Sequence, residues 1–349
     1  MNKYISNKIN SISFLLMVLV VFLHSYNISN KQTIDAVNEI KNFNWIVQNF
    51  FSFGVTRVAV PLFFLISGFL FISKEKFTVQ DYKVKISKRF LTLIIPYLFW
   101  SLFGILFYLT LQSVPDFQAF FSKKLIINYS FQELLNVFFM QPIPYQLWFL
   151  KDLIILVILS PILYFIIKKA NYFYLILVAC FWFCNQNLIF LTSEALLFFP
   201  LGIFIRQHTN EPNLKIKANI VFVLWLVLLI VTVGLVFFNY NSILILIFYK
   251  LSILAGIIFI WKIFDNQKLN IFFDFFNNYF EYTFFIYAFQ EPLLTIVKKL
   301  IFVIVGKTEN GFIATYFTAP IVTIVICIVA GFVIKKTFSP LYKVITGNR

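Results

Sequence analysis

"FGVTRVAVPLFFLISGFLF", residues 53–71, is a run of nineteen residues with a single charge, Arg57, near its start. A helix needs about 20 mostly apolar residues, rising about 1.5 Å each, to cross the roughly 30 Å hydrocarbon layer of a bilayer. This stretch supplies them. An arginine inside such a run is costly unless it faces a polar cavity or a partner. The alternative is that Arg57 snorkels, its long side chain carrying the charge to the interface.

The rest of the chain follows the same pattern. Of its 349 residues 61% are hydrophobic and 12% charged, and the mean hydropathy is +0.88. A soluble core cannot absorb that much apolar sequence, so lipid must be the solvent for most of it. A formal net charge of +15 would suggest nucleic acid in a soluble protein. Here it fits cytoplasmic loops obeying the positive-inside rule, and no nucleic-acid partner is expected. Cys180, Cys184 and Cys327 are odd in number and lie in apolar runs. They offer neither a disulfide framework nor zinc-ligand spacing with histidine, so they read as packing residues and no metal site is expected.

Hydropathy predicts an all-α polytopic membrane protein with about ten transmembrane helices. The spans fall near 9–28, 50–73, 90–111, 147–168, 172–191, 194–206, 218–238, 242–263, 280–305 and 312–334. The chain reads as one transmembrane domain over 1–349 with no appended soluble domain, since its longest polar connection is about 112–146. The first span is followed by "SYNISNKQT", which has no small-x-small cleavage pattern, so it reads as a retained span. The connection 74–89 holds Lys74, Lys76, Lys83, Lys85, Lys88 and Arg89. Placing it in the cytoplasm puts both termini there, with 19 of the 29 basic residues inside.

Orientation converts sequence position into depth. His24, closing "VVFLH" at residues 20–24, falls roughly 22 Å along its span, near the outer surface. Arg57 falls at a similar level on the second span. Lys151 and Asp152, in "YQLWFLKDL", enter from the same side, while Gln290 and Glu291, in "FFIYAFQEPLL", fall near the middle of the ninth. Polar groups distant in sequence thus converge in the outer half of the bilayer. Each has a plainer role beside the functional one. His24 could snorkel, Lys151–Asp152 reads better as a structural pair, and Lys250 could pair with a carboxylate such as Glu291. His208, in "IRQHTNEP", reads as a solvated loop residue.

With these residues in place, the chain resembles the bacterial acyltransferase-3 membrane proteins. The resemblance rests on "VVFLH" followed by "RVAVPLFFLISGFLF", then "KRFLTLIIPYLFWS", "LWFLKDLIILVILSPIL", "FFPLGIFI", "FFIYAFQEPLL" and "SPLYKVITGNR". It implies an enzyme that moves an acyl group, usually acetyl from acetyl-CoA, onto a cell-surface or lipid-linked glycan at the bacterial cytoplasmic membrane. His24 matches the family's first-span histidine, Arg57 its arginine before the Val-Pro run, and Arg89 its basic residue before Pro-Tyr. Two positions depart from the pattern: Ser13 stands where many relatives carry arginine, and Gln290 where they often carry histidine.

The chemistry of acyl transfer suits these residue types. A sugar hydroxyl attacking a thioester needs a base, and histidine titrates near neutrality. The tetrahedral oxyanion needs a cation, and arginine keeps its charge where water is scarce. His24 and Arg57 are therefore the expected catalytic pair. Lys88, Arg89 and Arg206 are the expected partners of the CoA phosphates. Lys151, Asp152, Tyr287, Gln290 and Glu291 are expected to support the site or touch substrate. A transporter of lipid-linked oligosaccharide, or a degenerate acyltransferase kept for binding, would also fit ten spans with buried cations.

Overall fold

The computed structural model describes residues 3–28, 41–72, 78–118, 121, 124–188, 190–266, 269 and 276–348. Lys31, Lys74 and Lys76, part of the charge pattern used for orientation, lie outside the described residues.

Among the described residues the regular structure is helical. In chain order come α1 Lys3–His24 and a long broken helix. That helix is α2 Phe43–Asn49, a π turn Phe50–Gly54, a 3-10 turn Val55–Val58 and α3 Ala59–Phe71. Then follow α4 Val79–Arg89, α5 Ile95–Gln112, α6 Phe131–Phe139, α7 Trp148–Ala170 and α8 Tyr172–Phe183. The remainder is α9 Ser193–His208, α10 Ala218–Phe237, α11 Ser242–Ile263, α12 Thr283–Val305, α13 Glu309–Thr337 and α14 Ser339–Thr346.

Seven helical stretches among the described residues are long and apolar enough to cross a membrane, so the chain is a polytopic helical membrane protein. Three of the ten expected spans are not among them. The helix in 172–191 is only twelve residues long. That in 194–206 covers sixteen. The ninth, α12, carries Glu291, Lys298 and Lys299 within one apolar run. The first span also shifts: its helix starts at Lys3 and stops at His24 rather than running to 28.

Two compact units make up the chain, one from residues 1–77 and 161–328, the other from 78–160 and 329–349. In the first unit α3 and α9 pack backbone to backbone. A Cβ on Gly68 would lie 2.0 Å from the Phe199 carbonyl oxygen, and one on Gly202 would lie 2.1 Å from that of Leu65. Small residues permit such approach where lipid supplies no hydrophobic force between helices. Beside this pair an apolar cavity of about 310 Å³ is lined by Ile9, Leu62, Phe69, Leu201, Leu254 and Trp261, among others.

The ends of the first unit are tied by ions. The start of α1 meets the end of α11 at Asp265, which accepts from Lys8 (2.5 Å), Lys262 (2.7 Å) and the Tyr4 hydroxyl (3.2 Å). Burial pushes the Asp265 carboxyl up, but hydrogen bonds from Lys262 and Lys8 outweigh it and hold it below the usual carboxylate range. The Lys8 ammonium also sits 4.2 Å from the Trp261 ring centroid. At the other end Lys41 donates to the carbonyls of Val236 and Phe237, both at 2.7 Å. These are last-turn carbonyls of α10, which have no acceptor role inside the helix.

In the second unit α4 begins with a reciprocal capping box between Thr78 and Asp81. It continues into α5 through a π turn at Phe90–Ile94. Tyr97 donates to the Phe139 carbonyl (2.7 Å), and Trp100 Nε1 to that of Ile345 (2.9 Å), which seat α6 and α14 on α5.

Candidate active site

Pro61 explains why the helix that carries Arg57 is irregular. Proline has no N–H, so it cannot donate to the carbonyl four residues earlier, which is that of Arg57 itself. The regular helix resumes only at Ala59, and Arg57 sits in the 3-10 turn before it. One turn back, Phe53 meets Arg57 face-on, with the guanidinium carbon 4.7 Å from the ring centroid. The same ring meets Tyr26 edge-on at 5.1 Å. Arg57 is thus linked, through Phe53 and Tyr26, to the turn that immediately follows His24.

That turn is held from three directions. Ser25 donates to the Tyr316 carbonyl (2.8 Å), and the Tyr316 hydroxyl accepts from Ser52 (2.9 Å), in the same broken helix as Arg57. Asn27 exchanges hydrogen bonds with Gln48, its N–H reaching Oε1 at 3.1 Å and its Oδ1 accepting from Nε2 at 2.8 Å. The Lys298 ammonium donates to the carbonyl oxygen of His24 at 3.0 Å. His24, the last residue of α1, is partly buried, and the charges that act on its imidazole are those of Lys298 and Arg57. Arg57 is thus linked through Phe53 and Tyr26 to the turn after His24, and Lys298 holds the backbone of His24 itself.

Lys298 was visible in the sequence as a charge in "LLTIVKKLIF", but it counts there only among the basic residues left outside. The structure puts it on α12 beyond a break. Glu291 has non-helical backbone (φ −114°, ψ 130°), as the residue before a proline prefers. The break frees carbonyls near it, and Gln290 Nε2 donates to that of Tyr287 at 3.2 Å. Gln290 is fully buried, and its Oε1 has no hydrogen-bond partner among the described residues. Glu291 accepts from Thr295 Oγ1 at 2.9 Å. Tyr287 is buried against Phe284, with ring centroids 5.8 Å apart.

Other candidates fall elsewhere. Lys250 is buried over the Trp182 ring (4.5 Å), and the carboxylate whose charge acts on it is Glu194, not the Glu291 suggested by the sequence. Arg206, near the end of α9, lies 5.0 Å over the Phe69 ring and donates to the Asn210 carbonyl at 3.4 Å. Its Nε is buried with no hydrogen-bond partner among the described residues. Lys88, Arg89, Lys151 and Asp152 belong to the second unit. Lys88 is exposed and Arg89 partly buried at the end of α4. Lys151 and the buried Asp152 pair at 3.7 Å, as expected of a structural pair. Of the cysteines read as packing residues only Cys327 is buried; Cys180 and Cys184 are exposed. His208 is exposed, as expected, but it ends α9 rather than lying in a loop, its Nδ1 2.8 Å from the Phe204 carbonyl oxygen.

A histidine at the end of a helix, with a lysine on its carbonyl and an arginine linked to the next turn, carries the residue types that acyl transfer needs. Residues 7–332 match the acyltransferase domain family, and the chain belongs to that family. It is an acyltransferase of the membrane. Over 358 aligned residues it is 26% identical to succinoglycan biosynthesis protein ExoH of Rhizobium meliloti (strain 1021), a match covering 100% of this chain and 94% of that protein. No solved structure matches it.

Proposed function

We propose that the protein moves an acetyl group from cytoplasmic acetyl-CoA to a hydroxyl of a cell-surface or lipid-linked glycan, in the bacterial cytoplasmic membrane with both termini inside. The observation that carries this reading is the link from Arg57 through Phe53 and Tyr26 to the turn that follows His24. His24 takes the proton of the sugar hydroxyl as its oxygen attacks the thioester carbonyl. Arg57 holds the oxyanion of the tetrahedral intermediate. The intermediate collapses with cleavage of the carbon–sulfur bond, and the imidazolium returns its proton to the departing thiolate. Tyr287, Glu291 and Gln290, whose buried Oε1 has no hydrogen-bond partner among the described residues, support the acceptor side, where a buried acceptor can receive a sugar hydroxyl. The glycan class is supported by the relative, whose name places it in the biosynthesis of a polysaccharide.

The direct test is the NMR spectrum of the surface polysaccharide with and without the gene. Loss of one O-acetyl signal at unchanged chain length is the expected result. Loss of the exported polysaccharide itself would overturn the reading in favour of an oligosaccharide transporter.

Arg206 is the proposed phosphate partner on the donor side, since its Nε has no hydrogen-bond partner among the described residues and its end of α9 adjoins the apolar cavity through Ile205. Lys88 and Arg89, in the second unit, are proposed as CoA-phosphate partners from the sequence alone. Charge-assisted hydrogen bonds contribute about 1.5–3 kcal/mol. Arg206→Gln should therefore raise the acetyl-CoA concentration at half-maximal rate by about tenfold or more, with the glycan requirement unchanged. Unchanged donor dependence in membranes with normal amounts of protein would remove Arg206 from the donor site.

A further inference from the structure

The carbonyls of the last turn of a helix have no donor inside that helix, and a cation placed there is favourable. At the end of α10 this donor is Lys41. At the end of α1 it is Lys298, and the carbonyl it holds is that of His24 itself. The ammonium comes from a face of α12 on which Glu291, Thr295 and Lys298 follow one another at helical spacing. Thr295 fixes the Glu291 carboxylate, and the Glu291 charge acts attractively on Lys298.

We infer that Lys298 is a positioning residue for acyl transfer, its ammonium clamping the backbone of His24 so that the imidazole is held toward the reacting hydroxyl, with Glu291 and Thr295 aiming the ammonium. The inference rests on the reading of His24 as the base. Lysine has three N–H donors in a compact charge on a long stem. It can therefore grip one carbonyl firmly from a neighbouring helix. Because the clamp acts on the His24 backbone, losing it leaves the base present but misplaced. Displacement of a catalytic group by about 1 Å can cost on the order of 10²-fold in rate.

The chain has two histidines, so His208→Gln leaves His24 as the sole source of histidine signals. Full-length protein carrying that change, labelled with ¹⁵N in its histidine rings and held in lipid nanodiscs, gives a spectrum of His24 alone. In that background Lys298→Met is expected to shift the His24 ring signals and lower kcat by up to about 10²-fold, with the KM values for donor and acceptor unchanged. Lys298→Arg should restore much of both. Lys299→Met, at the exposed neighbour, should change neither. If Lys298→Met does not accumulate, Lys298→Gln, which keeps N–H donors but not the charge, is read in its place.

Unmoved His24 signals, a loss confined to KM, or an equal response to Lys299→Met would overturn the inference. The two failures are distinguishable. An active His24→Gln protein sinks the catalytic reading. An inactive His24→Gln protein alongside a normal Lys298→Met protein sinks the clamp alone.

Discussion

His24→Gln should lose nearly all acyl transfer while the protein accumulates normally in the membrane. Glutamine keeps a polar tip and similar bulk, so an interfacial residue with no chemical role would tolerate it. It cannot serve as a base near neutral pH. General-base contributions are typically about 10²–10⁴-fold, which an O-acetyl assay resolves easily. The same experiment bears on Ser13. That residue lies in α1, partly buried, eleven positions before His24 and so about three turns below it on the same face. If wild-type protein acylates and His24→Gln does not, transfer proceeds without an arginine at that position, and Arg57 is the cation left to carry the oxyanion. Equal transfer by both proteins would end the mechanism.

The second large effect concerns packing rather than chemistry. Gly68→Ala would place a methyl group 2.0 Å from the Phe199 carbonyl oxygen and 2.8 Å from its carbonyl carbon. No rotamer change relieves a clash with backbone, so α3 and α9 must separate along their contact. Overpacking typically costs about 1–3 kcal/mol, occasionally more, and this case belongs at the upper end. Detergent-solubilised Gly68→Ala should therefore unfold at clearly lower temperature than wild type, and Gly202→Ala should behave alike. Gly234→Ala is the control, because a Cβ there meets nothing within 4 Å. A Gly68→Ala midpoint matching that control would mean that the helices are not in backbone contact.

The membrane class was legible because apolar run length is a one-dimensional property of the chain. Helix ends were not. Where α1 ends, Lys298 holds the His24 carbonyl and the Ser25 hydroxyl donates to the Tyr316 carbonyl, and both partners lie far along the sequence. The pairing of His24 with Arg57 could be suspected from matched depth, which needs only helical rise and orientation. What joins them, a phenylalanine ring between a tyrosine and a guanidinium, depends on how helices rotate about their axes, and hydropathy carries no such information. Lys250 fails for a related reason. Several carboxylates fall within reach in sequence terms, and only packing selects Glu194. Lys298 shows a different limit: in the sequence it is one of the minority of basic residues left outside, and nothing in hydropathy gives it a partner.

The tie between Lys8 and Asp265 has a consequence in time. The two residues are 257 positions apart, and ribosomes add about 5–20 residues per second. Once made, Lys8 therefore waits roughly 13–50 s before the carboxylate that will bind it exists. The Ser25 contact with Tyr316 is separated by 291 positions and closes later still. Helix α1 is thus made well before the contacts that complete it. Throughout that interval a lysine that ends up buried must be kept in contact with water, lipid headgroups or the insertion machinery. A chain released short of Asp265 would carry Lys8 without that carboxylate.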